Sequence, residues 1–154
     1  MVCSYCDQVV DRVVCEEYFT TRAWVRELLG QVDIPAGTGL ECLERMKGLF
    51  HPYDLTYMAA SEVALTDCIR DSRLQEGLDI AHTMLDVCSR LARGSPAQVE
   101  LVMRMMRLQA ELGMSENMHK LVKKGLSDAY GDMKLCLQIL QFERILKHTV
   151  LTKK

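Results

Sequence analysis

Apolar residues return at three- and four-residue spacings along most of this chain, and from residue 54 onward the return is regular. Leu74, Leu78, Ala81, Leu85 and Cys88 form one such series. Leu101, Met105, Leu108 and Leu112 form the next, then Met118, Leu121, Val122, Leu126 and Ala129, then Leu135, Ile139, Leu140, Phe142 and Leu146. This spacing lines one face of an α-helix. Helix-breaking residues separate the series: Gly30, the loop Asp33-Ile34-Pro35-Ala36-Gly37, His51-Pro52, Asp71-Ser72, Gly94, Gly113 and Gly131. The pattern predicts helices over 16–29, 38–50, 54–70, 73–92, 96–112, 115–130 and 132–147. Phe19, Ala23, Trp24 and Leu28 are expected inward on the first, and Leu40, Leu43, Met46 and Leu49/Phe50 on the second. Leu55, Met58, Ala59, Val63, Cys68 and Ile69 are expected inward on the third. Asp54, Ser95 and Ser115 suit N-caps, and Ser95-Pro96-Ala97-Gln98 adds proline at the first helical position and the glutamine of a capping box. Residues 1–15 show no helical period, and Val9-Val10 and Val13-Val14 lean towards β-structure.

Two adjacent pairs, 54–70 with 73–92 and 96–112 with 115–130, share a layout. Joins of two to three residues force antiparallel hairpins. Setting Ser72 over Gly113 gives a repeat offset of about forty residues, longer than the ~34 of a standard tetratricopeptide unit. Gly77 supplies the small residue expected early in the second helix of one pair, and Met118 stands there in the other. The expected fold is all-α: stacked antiparallel helix hairpins, tetratricopeptide-like, about seven helices. The expected organisation is a segment over 1–15, a helical-repeat domain over 16–150 and a frayed tail over 151–154.

Composition supports helices over sheets, because ten methionines and few aromatics (6%) leave a core of Leu, Val, Met and Ala. A net charge of -2 gives no basis for binding nucleic acid or an anionic membrane. No apolar run approaches the ~20 residues of a membrane span, and the first residues lack the basic-then-apolar pattern of a signal peptide. Seven cysteines, an odd number set mostly inside helical patterns, read as reduced thiols and hence a cytoplasmic or nuclear setting.

Three short runs carry a resemblance. They are Arg107 to Gly125, Tyr57 to Pro96 with its Asp67-Cys68 helix and Gly94-Ser95-Pro96 loop, and Cys3-Ser4-Tyr5-Cys6 followed by the helix holding Trp24. Together they resemble the C-terminal tetratricopeptide-like domain of the SET-and-MYND family of protein-lysine methyltransferases. The resemblance implies that Cys3 and Cys6 are the last two cysteines of a zinc-binding C-x-C-x-x-C segment, with Met1 where the first would stand. It implies a domain that walls the substrate cleft of an S-adenosylmethionine-dependent parent, or that binds partner proteins. Such a partner would be a chaperone C-terminus or the parent's own SET domain. The family's MYND zinc cluster, Gly-rich cofactor segment, Asn-His motif and catalytic tyrosine segment are absent from this sequence. The chain is therefore expected to be a fragment without catalytic or cofactor-binding residues of its own.

Read from the residues alone, Cys3 and Cys6 form one C-x-x-C that fits either part of an incomplete zinc site, since zinc needs four ligands and only Cys15 offers a third, or a frayed, oxidisable terminus. His51, His82, His119 and His148 are scattered without metal-like spacing. Met103, Met105, Met106, Met114 and Met118 suit a pliable core, with a peptide groove as the alternative. Arg104, Arg107, Lys120, Lys123 and Lys124 fall on neighbouring helices and are the candidate peptide-binding residues, able to hold a carboxylate. A solvated face, with Lys123-Lys124 near a helix C-terminus, explains the same residues without a ligand. Glu16-Glu17 and Glu41/Glu44 read as solvent-side charges.

The expected function is a non-catalytic protein-interaction or regulatory domain of such a methyltransferase. A free-standing tetratricopeptide-like adaptor is the alternative, and a small metal or thiol protein using Cys3 and Cys6 a third.

Overall fold

The computed structural model describes residues 11–151. Among them are seven helices and no strand: α1 (Arg12–Leu29), α2 (Thr38–Met46), α3 (Leu55–Arg70), α4 (Leu74–Leu91), α5 (Pro96–Glu111), α6 (Ser115–Asp128) and α7 (Met133–Leu151). The all-α expectation holds, with adjacent helices packed on one another. Cys3 and Cys6 lie outside the described residues, as do Thr152, Lys153 and Lys154. Two compact units divide the chain within α3, one extending to Asp67 and one starting at Cys68.

In the first unit, α1 begins four residues earlier than its apolar pattern suggests. Asp11 caps it by accepting the Val13 amide hydrogen at 3.0 Å, so Val13 and Val14 are helical, not extended. The inward face is also rotated from the expected one. Phe19 is 56% exposed and Ala23 is exposed, whereas Val25 is fully buried and Thr21 nearly so. Val25, Cys42, Met46, Phe50 and Ala60 form the core, and Tyr18, Trp24, Leu28, Leu43 and Tyr57 pack against it. Helix α2 ends at Met46, earlier than expected, and Gly48 with φ +74° turns the chain so that Phe50 still reaches the core.

The start of α2 has no side-chain cap of its own, because Gly37 occupies that position in a left-handed conformation. Asp67 on α3 takes the role: its Oδ2 accepts from the Gly37 and Gly39 amides at 3.1 and 3.2 Å. Gly39 lets α2 approach that closely, since a Cβ there would sit 2.2 Å from the Ala64 backbone nitrogen. Asp54 caps α3 as expected, accepting from the Thr56 amide at 2.7 Å. Leu55 and Ala59 are exposed, however, whereas Cys68 is fully buried as expected, and the other buried residues of α3 are Thr56, Ala60, Ser61, Ala64, Leu65 and Asp67.

In the second unit, α5 packs against α4, α6 and α7, and α6 against α7. Leu78, Ala81, Met84, Leu85 and Val87 of α4 are buried, as are Val99, Leu101, Val102, Met105, Met106 and Leu108 of α5. Met118, Leu121 and Val122 of α6 are buried with them, as are Leu135 and Ile139 of α7. Buried Met105, Met106 and Met118 are thus core, the first of the two readings of the methionine run. Leu140, expected inward on α7, is 44% exposed, one residue past fully buried Ile139. Ser115 is the first residue of α6, not its cap; Met114 holds that position without a side-chain bond.

Ser95 caps α5 as its sequence suggests, accepting from the Gln98 amide at 3.2 Å. The Gln98 side chain departs from a simple capping box. Its Oε1 accepts from the Gly94 amide at 2.6 Å, and its Nε2 donates to Ser89 Oγ at 3.1 Å and Asp128 Oδ2 at 2.9 Å. Arg93 completes the cluster through Nε on Asp128 Oδ1 at 2.9 Å. This network ties the end of α4, the start of α5 and the end of α6 together. Gly94 is needed there on two counts: φ is +72°, and a Cβ would lie 2.6 Å from the Asp128 carbonyl oxygen.

Candidate functional site

Helix α6 carries Asn117, Lys120, Leu121 and Lys124 at positions i, i+3, i+4 and i+7, so all four share one stripe. Helix α4 contributes His82 and Leu85, again three residues apart, and α5 contributes Gln109. Together these seven residues line a cleft of about 370 Å³ within the second unit. Leu85, Leu121 and Gln109 are buried and form its inner part; His82, Asn117, Lys120 and Lys124 are exposed and form its rim. The interior is therefore largely apolar, with one amide in it and ammonium groups at its edge.

Gln109 is the unusual member. It is only 3% exposed, and its Oε1 is buried without a hydrogen-bond donor among the described residues. Buried side-chain acceptors are nearly always paired. Gln98 lies eleven residues earlier on the same helix, about 16 Å along its axis. It is equally buried, yet its oxygen and its nitrogen both have partners. One buried glutamine of α5 is satisfied by the fold and the other is not.

Of the five cations proposed from sequence, the structure brings Lys120 and Lys124 together on the cleft. Lys120 also pairs with Glu116 at 3.4 Å, an exposed contact of little energetic weight. Among the described residues no carboxylate pairs with Lys124. Arg104 and Arg107 do not line the cleft. They form ion pairs along their own helix, with Glu100 at 2.7 Å and Glu111 at 3.0 Å, so the solvated-face reading fits them better. Lys123 is exposed and lies off the cleft. Sequence reasoning missed His82, Asn117 and Gln109 as lining residues. The i, i+3, i+4, i+7 spacing from Asn117 to Lys124 was the available signal for one of them; nothing local marks Gln109.

Among the described residues the remaining histidines and thiols do not gather into a metal centre. His51 Nδ1 accepts from the Tyr53 amide at 3.3 Å, a local turn contact. Cys15 sits partly buried on α1. Among the described residues no three His, Cys, Asp or Glu side chains are placed to share a metal ion. Among the described residues no helix is long and apolar enough to cross a membrane.

The cleft can do definite chemistry. Two ammonium groups one helical turn apart can receive an anionic group. Leu85 and Leu121 can cover an apolar side chain. The Gln109 oxygen can accept one or two hydrogens. The chain matches no family model, no curated protein and no solved structure.

Proposed function

We propose that this chain is a protein-interaction module whose cleft between α4, α5 and α6 holds an acidic segment of a partner protein. The observation that carries the reading is the stripe of Asn117, Lys120, Leu121 and Lys124 along the cleft, with apolar Leu85 and Leu121 at its base. A titration followed by backbone NMR tests it. Acetyl-Ala-Glu-Ala-Leu with a free C-terminus is expected to move the amide signals of residues 117–124 and 82–85. Its neutral counterpart, with glutamine for glutamate and a C-terminal amide, is expected to bind about tenfold more weakly. Equal binding of the two peptides, or shifts confined to other helices, removes the reading.

We further propose, from the runs 57–96 and 107–125, that the module is the C-terminal helical domain of a SET-and-MYND type protein-lysine methyltransferase. In that setting S-adenosylmethionine would be bound by the parent's catalytic fold, and Cys3 and Cys6 would contribute to a zinc site shared with upstream residues. The chain would act by recognition, on a partner such as a chaperone tail or on the parent's own SET domain, in the cytoplasm or nucleus. A natural transcript extended upstream of Cys3 should transfer methyl groups from S-adenosylmethionine to protein lysines, while this chain alone should not. If neither transfers them, the adaptor alternative takes its place.

A further inference from the structure

We infer that the ligand of this cleft presents an amide N–H beside its carboxylate, and that Gln109 reads the N–H while Lys120 and Lys124 hold the carboxylate. The inference rests on the interaction reading above and specifies what that cleft selects. Three observations support it. The Gln109 oxygen is a buried acceptor without a donor, on a helix whose other fully buried glutamine is completely paired. Gln109 also lines the same cleft as both lysines. Finally, no side chain that lines the cleft donates to Gln109, and an incoming anion engages the two ammonium groups, which leaves the ligand to supply the donor.

The oxygen itself is buried, and it meets a ligand by rotation about the terminal carboxamide torsion, a soft coordinate. A ligand with only a carboxylate would leave that acceptor unpaired, and one with only an N–H would leave the lysines in water. A peptide supplies both groups within a single residue. The terminal residue has its own amide and the chain-end carboxylate, with a side chain that can rest on Leu85 and Leu121. An internal aspartate has its own amide and the side-chain carboxylate. Both sources offer the same chemistry to the cleft.

The test is a cycle on the full chain. Acetyl-Ala-Leu with a free carboxylate is titrated against the wild type and Gln109→Leu, each with the ordinary peptide and with the peptide methylated on the leucine amide nitrogen. In the wild type, methylation is expected to weaken binding about tenfold, because it deletes the donor and leaves the acceptor unpaired. In Gln109→Leu the same methylation is expected to change binding less than about twofold. Gln109→Met serves as the second variant if leucine disturbs folding, and either should melt no lower than the wild type, since a buried unpaired acceptor has been removed. Acetyl-aspartyl methylamide, run in parallel, separates the two sources: tighter binding than acetyl-Ala-Leu assigns the site to internal acidic residues, weaker binding to chain ends. Methylation that costs the same in wild type and variant, or nothing in the wild type, overturns the role of Gln109 while the interaction reading stands. If neither ordinary probe moves signals on α6, the interaction reading and this inference fall together.

Discussion

Asp67 and Gly39 meet where α2 begins, the carboxylate of one accepting the amide hydrogen of the other at 3.2 Å. The contact needs both residues. A side chain at position 39 would collide with backbone atoms of Val63 and Ala64, which cannot rotate away. Gly39→Ala is therefore expected to destabilise the first unit by about 3 kcal/mol, through overpacking and loss of the cap. Trp24 is the chain's only tryptophan and packs against that unit's core. Its fluorescence should report the earlier transition in urea, and an unchanged midpoint would show that the helices do not approach as described.

Tyr18 and Asp54 predict a pH window. The tyrosine hydroxyl donates to Asp54 Oδ2 at 2.5 Å. Burial raises the Asp54 pKa, but the Tyr18 hydroxyl, the Thr56 hydrogen bonds and the Arg22 charge outweigh it and hold the carboxyl below its ordinary 3.8. Burial, then the bond to Asp54 and its charge, raise Tyr18 above its ordinary 10.0, against Arg22. A lowered acid contributes stability above its unfolded pKa and loses it as pH falls through the folded value. A raised tyrosine contributes below its unfolded pKa and loses it as pH rises through the folded value. Tyr18→Phe removes the tyrosine's effect and the largest of the contributions that lower Asp54, leaving Thr56 and Arg22, so its deficit in unfolding midpoint should be largest between pH 3.8 and 10.0 and shrink on either side. A deficit that is flat from about pH 3 to about pH 11 would mean that the hydroxyl does not engage the carboxylate.

The sequence shows helix number and most breaks because these follow from spacing and from Gly and Pro. Phase and energetic role were harder to read. Phe19 scores as core by size, yet α1 turns Val25 and Thr21 inward, because the partner surface of Cys42 and Met46 decides which face is covered. On α3 the expected Leu55 and Ala59 stay outside while Cys68 is buried as expected, and small Ala60 and Ala64 occupy buried positions. Asp67 is a capping residue for a helix twenty-eight positions away, which no local pattern contains. At the cleft, Lys120 and Lys124 could be named from charge and proximity. Gln109 could not, since no local motif marks it, whereas Gln98 stands in the capping box that opens α5 and finds its partners in Gly94, Ser89 and Asp128.

Gln98 supports the second unit far more than its size suggests. Gln98→Ala strips the Gly94 amide and the Asp128 carboxylate of a partner at once and leaves a void beneath α5. The expected cost is about 3 kcal/mol. Arg93→Ala removes only the outer ion pair, whose arginine side chain is 64% exposed, and should cost less than about 1 kcal/mol. Since tryptophan fluorescence reports the first unit, far-ultraviolet circular dichroism is the measurement. Gln98→Ala should shift the part of the helical signal that does not follow Trp24. Equal costs for the two variants would mean that Gln98 is not what joins the helices.

Charge reversals on α5 and α6 separate a ligand site from a solvated face. Lys124→Glu changes an exposed residue with no carboxylate partner among the described residues, so stability should move by less than about 0.5 kcal/mol. Binding of acetyl-Ala-Glu-Ala-Leu should nevertheless weaken about tenfold or more, because an attraction becomes a repulsion at the cleft rim. Arg107→Glu is the control. It replaces the exposed pair with Glu111 by a like-charge pair on the same helix, so it should cost a few tenths of a kcal/mol in stability. Lying off the cleft, it should leave peptide affinity within about twofold, apart from a general effect that salt screens. The two variants change net charge equally, so a difference between them at about 0.15 M salt reports position. If both weaken the peptide to the same extent, the protein attracts acids through its overall field, and the stripe from Asn117 to Lys124 is a solvated helix face.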